Sequence, residues 1–439
     1  MGRRCPEGGL EALAIGSGIS ESTTALGPDE LEVGRSICQG RSGDPALKIV
    51  PGLRAGGGRL FDGMRLLRVS LHNVGPFDDV ELRLDASEPA KDGAGSPKEG
   101  DENEPTIDPP SAPHPVTVLF GGDGTGKTSL LSALSLTRPG HALPPLPPGG
   151  APARGRDGST PPYVATEWLL GEDDPERPHP LLVTSPSAVL PGESPEGAAV
   201  RRREQALFDR RAQQEGGFVF VSFSGARWFS RVPNMLSVPE RSILRYDVRQ
   251  PNGSFDDPTR ADLTRETKQI ISYAAVGAAL GAGSAEHDHL GRFEAALREV
   301  IDVVLEPFDL VHAGVSPTSL EPQVRTPRGG VLPFDAMPRA ARHLVSFVTL
   351  PLRALFASYP GSDTPREREG VVAIDDVEAQ QDPAILRALV PLLRRALPNV
   401  QWLLTTASTQ LALACDAPSV VALRRTEARR VELGEGVLH

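Results

Sequence analysis

The chain is short of cysteine, aromatic side chains, lysine and long apolar runs, and each shortage narrows what it can be. Its three cysteines, Cys5, Cys38 and Cys415, are too few and too scattered for a disulfide framework or a metal cluster. No apolar run approaches the roughly 20 residues that cross a bilayer, and the N-terminus lacks the apolar core of a signal peptide. No membrane partner is therefore expected, and a reducing cytoplasm is the expected compartment. Sustained heptads and internal repeats are also missing, which excludes a long coiled-coil arm. A net charge of -11 argues against unspecific attraction to nucleic acid over the whole surface, while a local basic groove stays open.

Arginine greatly outnumbers lysine; the only lysines are Lys48, Lys91, Lys98, Lys127 and Lys268. Lys127 falls in the most informative run of the chain, Gly121-Gly122-Asp123-Gly124-Thr125-Gly126-Lys127-Thr128, directly after the apolar stretch Val116–Phe120. The run reads G-x-x-x-x-G-K-[ST], a phosphate-binding loop, with a buried strand before it and an apolar helix from Ser129 after it. Its glycines let successive backbone N–H groups curl toward phosphate oxygens, and the helix N-terminus adds partial positive charge. In this pattern Lys127 reaches the β- and γ-phosphates of ATP, and the Thr128 hydroxyl joins a Mg²⁺ shell.

Composition divides the rest of the chain. Residues 1–63 are Gly-rich, polar and aperiodic, and are expected to form a disordered extension. Met64–Leu71 partly alternates and Val80–Leu84 alternates strictly, with turn chemistry at Asn73–Phe77 between them, predicting a β-hairpin. Residues 86–115 and 138–162 are rich in proline and glycine and are expected to be flexible insertions. Strands are expected at Tyr163–Leu170 and Phe218–Phe223, and helices at Arg260–Gly281, His289–Leu305 and Pro338–Ser358, with Pro351 kinking or dividing the last. The final third reads most clearly: a buried strand at Gly370–Ile374 ending in Asp375 and Asp376, and an amphipathic helix over Asp382–Leu397. Then come a buried strand Val400–Thr406, a helix Thr409–Cys415, and short strands at Val420–Arg424 and Arg430–Leu433. Strands alternating with helices predict a parallel α/β sheet.

An apolar strand ending in Asp, far downstream of a phosphate loop, is that loop's expected partner. Asp375 is the candidate to hold the Mg²⁺ shell, and Asp376 the candidate to polarise the attacking water. The plainer reading of Asp376 is that it caps the strand end.

Taken together, these motifs resemble the ABC-type ATPases of the RecF/SMC-like branch. The hairpin with Asn73-Val74-Gly75-Pro76-Phe77 at its turn, the loop Gly121–Thr128 followed by Ser129-Leu130-Leu131, and Ile374-Asp375-Asp376-Val377-Glu378 before Asp382-Pro383 carry the likeness. So does Val400-Gln401 through Thr405-Thr406-Ala407-Ser408. The resemblance covers roughly Met64 to the C-terminus. It implies an ABC-ATPase-like mixed sheet flanked by helices, an N-terminal antiparallel hairpin, and a helical and signature region over about 200–345. It also implies ATP and Mg²⁺ as cofactors and a nucleotide-sandwiched dimer, or a heteromeric partner, contacted through Asp375–Asp382.

The departures bear on activity. Asp376 stands where the family has a catalytic Glu. Ala407 stands where it has the γ-phosphate-sensing His. Met337-Pro338-Arg339-Ala340 stands at the signature Leu-Ser-x-Gly, with proline removing both a hydroxyl and a backbone donor. Arg342 is a candidate to preserve some positive charge there, and Ser224–Arg227 is the nearest candidate for the Q-loop. Nucleotide binding is thus expected to survive better than hydrolysis, and an ABC transporter ATPase is disfavoured. Among other residues, Arg201–Arg203 with Arg210 and Arg211 suit a solvated helix face better than a nucleic-acid groove. His287 and His289 suit a loop between helices, Trp228 the core, Phe77 hairpin packing as readily as adenine contact, and Glu378 a structural acid at the sheet edge.

Overall fold

Alternation of apolar and polar residues builds the first layer. In Met64–Val74 (β1) the buried residues are Met64, Leu66, Val69, Leu71 and Val74, with a register shift between Leu66 and Arg68. Asn73 and Gly75, both at positive φ, turn the chain into Phe77–Arg83 (β2), and the hairpin pairs antiparallel as expected. Tyr163–Leu170 (β4) and Leu181–Ser185 (β5) widen it to a four-stranded antiparallel sheet, order β2-β1-β4-β5. The computed structural model describes residues 64–84, 116–137, 162–170, 262–280, 285–427 and 430–437, and 180–236 except 186–189, 191, 215, 216 and 235. All lie within the compact unit Arg59–His439. The expected extension 1–63 and insertions 86–115 and 138–162, save residue 162, lie outside the described residues.

The second layer is a six-stranded mixed sheet. Val116–Phe120 (β3), Phe220–Phe223 (β6), Gly370–Ile374 (β10), Val400–Thr406 (β11), Val420–Arg425 (β12) and Val431–Glu435 (β13) stand in the order β13-β12-β3-β11-β10-β6. All neighbours run parallel except β12 and β13. Every residue of β10 and of β11 is buried, as continuous apolar runs must be in parallel strands covered on both faces. One face packs against helix Lys127–Leu136 (α1) and the antiparallel sheet, through Leu71, Phe77, Leu130, Trp168, Phe220 and Leu403. Gln401 stitches these layers: its amide donates to Leu66 O and accepts from Leu66 N–H, both at 2.9 Å.

The opposite face is covered by helices Thr264–Leu280 (α3), Ala285–Leu305 (α4), Arg339–Ser358 (α5) and Pro383–Ala396 (α6), which share a core with β3, β6, β10 and β11. Asp382 caps α6 by accepting from Ala384 and Ile385 N–H, with Pro383 at the first helical position. A small antiparallel sheet, Val311–Val315 (β7), Pro322–Arg325 (β8) and Val331–Pro333 (β9), precedes α5. Helix Pro195–Gln214 (α2) packs on β5, and Thr409–Leu413 (α7) follows β11. Layers, mixed sheet, antiparallel sheet and helical region together form the α/β architecture that the resemblance implies.

Several local expectations are corrected. Pro351 sits inside α5 without dividing it, because the helix is buried almost throughout and packing holds it. His289 lies within α4, stacked on Phe356 at 4.0 Å, and the helix rather than a loop carries His287. Trp228 is 43% exposed and outside the core; the neighbouring Phe229 turns inward against the core instead. Arg201 is buried rather than solvated, paired with Glu193 at 2.8 Å and donating to Thr184 Oγ1 at 2.6 Å. That pairing holds the Glu193 carboxyl down at about 2.

Candidate functional site

Parallel order brings the loop after β3 beside the carboxyl ends of β11 and β10, where open α/β sheets gather their ligand-binding groups. The loop's own geometry explains its glycines. Gly124 and Gly126 lie at φ +73° and +93°. A Cβ on Gly126 would come within 2.5 Å of Pro76 Cγ and 2.8 Å of Phe77 Cζ, so the hairpin turn presses on the loop here. Phe77 is 1% exposed and serves packing. One on Gly121 would meet Leu423 O and Thr125 Oγ1 at 2.8 Å, whereas Gly122 faces open space. Gly122, Asp123 and Gly124 are exposed, Ser129 is half-buried in the first turn of α1, and Thr125 Oγ1 donates to Gly122 O at 2.9 Å. The result is a loop closed behind and open in front.

Lys127 is buried beneath this loop, its Nζ donating to Gly121 O at 2.7 Å and Gly122 O at 3.0 Å. Beside it the Thr128 hydroxyl donates to Asp375 Oδ2 at 2.8 Å, across 247 residues of sequence. Asp375 is 2% exposed, and its other oxygen accepts from Thr405 Oγ1 at 2.6 Å. Thr405 Oγ1 in turn accepts from Asp376 N–H at 2.8 Å. Strand-end residues of β10 and β11 and the first turn of α1 thus converge on one carboxylate. A threonine hydroxyl and a carboxylate side by side are oxygen donors of the kind a hard divalent cation takes.

Asp376 follows at φ +43°, a left-handed turn that Asp tolerates better than most residues. Burial and the adjacent Asp375 raise its carboxyl above the usual range, with Lys127 and Arg227 opposing. Ser224–Arg227 leaves the end of β6 next to these acids: a Cβ on Gly225 would lie 2.8 Å from Asp376 Oδ2 and 3.2 Å from Asp375 Oδ2. Arg227, 3% exposed, donates through Nη1 to Asp375 O and through Nη2 to Asp376 O. Its guanidinium is lowered to about 10 by burial, with Asp375, Asp376 and Glu378 opposing, and so carries full charge at neutral pH. Sequence named Arg227 only as part of a loop candidate; its hold on both carbonyls depends on pairing between β6 and β10, which no local pattern encodes.

The residues at which the chain departs from the resemblance lie as follows. Ala407 is exposed at the end of β11, and its N–H donates to Glu378 Oε1 at 2.6 Å, giving Glu378 a backbone-holding role. Pro338 precedes α5, and Arg342 lays its guanidinium over the Phe229 ring at 5.3 Å.

Sheet order, loop and converging threonines and carboxylate define an α/β P-loop NTPase fold of the ABC-ATPase kind. Neither a protein-family model nor a curated protein sequence matches the chain. Among solved structures it is similar to the SMC head domain from Thermotoga maritima, at 11% identity and TM-score 0.39, over 85% of this chain and 100% of that one. An SMC head bound to the C-winged helix domain of ScpA matches at 13% and 0.45, over 85% and 98%. The recombination mediator protein RecF matches at 13% and 0.33, over 85% and 98%. Among the described residues no helix is long and apolar enough to cross a membrane.

Proposed function

We propose that the protein binds ATP with Mg²⁺ in the loop Gly121–Thr128, hydrolyses it slowly, and uses ATP-dependent association as a switch in a DNA-related or defence-related complex. The observation that carries this reading is the convergence of Thr128 and Thr405 on Asp375, next to the loop beneath which Lys127 is buried. Backbone N–H groups of Gly122–Ser129 cradle the phosphates, and Lys127 leaves its loop carbonyls for phosphate oxygens. Thr128 and Asp375 are the residues that would hold Mg²⁺, which when bound neutralises charge on the phosphates. Asp376 orients water, from a side chain one methylene shorter than Glu. Its raised carboxyl affinity for protons suits proton acceptance.

A second reading has its own support. With Ala407 and Pro338 where the resemblance leads one to expect His and Ser, the chain serves as a nucleotide-binding regulator without useful turnover. Steady-state ATPase assays and nucleotide titrations on the wild type, Lys127→Ala and Asp376→Asn separate the two. Turnover lost in both variants supports the slow ATPase; binding without turnover, abolished by the lysine change alone, supports the regulator. Association is tested by the oligomeric state with and without ATP. The DNA-related role is abandoned if no duplex binds at low salt with ATP present.

A further inference from the structure

The hydrogen bonds of Arg227 do not end at the two acids. Besides the Asp375 and Asp376 carbonyls, Nη1 donates to Ser224 O at 2.9 Å, and Nε donates to His343 Nδ1 at 3.2 Å. Nδ1 is therefore the unprotonated nitrogen, and Nε2 carries the proton. That Nε2–H donates to Gln380 Oε1 at 3.1 Å. Both neighbours thus fix the same tautomer. His343 lies in the second turn of α5, fully buried, with Phe229 edge-on at 5.0 Å and Phe347 at 6.0 Å. Burial first, then the Arg227 charge, lowers it to about 4, so the ring is neutral near pH 7.

The segment at the other end of this chain of bonds is poorly satisfied by itself. Asp376 and Gln380 both sit at left-handed φ, +43° and +67°, where non-glycine residues are strained. Glu378 Oε2 and both polar atoms of the Gln381 amide are buried and have no hydrogen-bond partner among the described residues. A strained segment with unmet polar groups persists only where its surroundings hold it. Arg227 holds its first carbonyl, Thr405 its first N–H groups, and His343 its exposed corner at Gln380.

We propose that His343 is a positioning residue: by joining Gln380 to Arg227 it couples the Asp376–Gln381 segment to the start of α5 and holds Asp376 in its working place. The start of α5 is where Pro338 and Arg339 stand, so displacement of either element is passed to the acid through one buried ring. The consequence for turnover rests on the ATPase reading above; the mechanical coupling does not.

Three variants of the full chain test this: His343→Leu, which removes both bonds; His343→Gln, which keeps an acceptor and a donor; and Gln380→Ala, which trims an exposed side chain. Amide hydrogen exchange at Val377, Ala379 and Gln381, whose N–H groups bond Thr405 O, Asp376 O and Glu378 O, reads the coupling without turnover. Exchange is expected to rise about 10-fold in His343→Leu, less in Gln380→Ala, and to return near wild type in His343→Gln. In the ATPase assay kcat should fall about 10-fold in His343→Leu with KM within about twofold, and His343→Gln should recover most of it. Unchanged exchange in both His343→Leu and Gln380→Ala overturns the coupling, and so does a His343→Gln variant as impaired as His343→Leu. If His343→Leu does not fold, Gln380→Ala decides. A wild type without turnover sinks the ATPase reading while leaving the exchange result to judge the coupling.

Discussion

The loop with Asp375, and the surface formed by Asp376–Gln381, Ala407 and the start of α5, adjoin one another at the carboxyl end of the same sheet. In the first, short bonds link Thr128 and Thr405 to Asp375, and Lys127 to the carbonyls of its own loop, in an arrangement that neighbouring strands impose. In the second, Ala407 and Pro338 stand where the resemblance implies polar side chains, and the backbone is strained at Asp376 and Gln380. Holding an anion needs only donors and charge from one chain's own loop. Hydrolysis needs a water and a developing charge placed to within a fraction of an ångström, so it is the more fragile property. On the proposed reading the two regions separate binding from turnover, and variants in each should fail in different ways.

The largest effect is expected at Lys127. Replacing it by alanine removes the charge that the proposed reading directs at the phosphates, while its partners among the described residues are Gly121 O and Gly122 O, so the fold should hold. Affinity for a fluorescent ATP analogue should weaken at least about 100-fold. An unchanged titration would break the comparison at its stronger side.

Asp376→Asn comes next and should divide the two properties. Turnover is expected to fall about 100-fold, with nucleotide affinity within about twofold. Stability should move the other way. An acid whose folded pKa is raised adds stability only below its unfolded pKa, and loses it as pH rises through the folded value. At pH 7 the Asp376 carboxylate thus opposes folding. Asparagine keeps the left-handed turn and removes the charge, so Tm should rise by about 1–3 °C in calorimetry. A drop in Tm of that size would show that the carboxylate is structural after all.

Ala407→His sharpens the weaker side. Ala407 is exposed at the end of β11, so an added imidazole meets solvent rather than core. If the missing side chain limits hydrolysis, kcat should rise by about 10-fold with affinity unchanged. No change would place the limit elsewhere, at Pro338 or Asp376.

How far the sequence reveals each region follows from the range of its contacts. The phosphate loop is one continuous motif between a strand and a helix, so residues within eight positions of each other specify it. The strands Gly370–Ile374 and Val400–Thr406 are legible because burial on both faces demands unbroken apolar runs. Leu181–Ser185 and the strands between Val311 and Pro333 were missed. The former is hemmed by Pro178, Pro180 and Pro186, and the latter are short and interrupted by Gly314 and prolines. The Arg227–His343–Gln380 chain was invisible for another reason. Its members stand 116 and 37 residues apart, and only the pairing of β6 with β10 and the docking of α5 bring them together.

The last expected effect leaves nucleotide chemistry untouched: it concerns acid stability, and it bears on His343 together with His312. Both are held neutral by burial, at about 4 in the folded state against about 6.5 when exposed. Between those values the unfolded chain binds protons that the folded chain refuses, so stability is full above about pH 6.5 and declines as pH falls toward 4. Each ring should contribute on the order of 3 kcal/mol to that decline by pH 4. Carboxylates such as Glu193, held at about 2 by Arg201, lose their contribution in a lower window, below the unfolded value of 4.5. Comparing wild type with His312→Gln and His343→Gln by urea unfolding between pH 7 and 5 therefore isolates the imidazoles. Both variants should show a flatter slope over that interval. Equal slopes in all three proteins would mean that both imidazoles take up a proton in place, which for His343 the bond from Arg227 Nε forbids as long as that bond is kept.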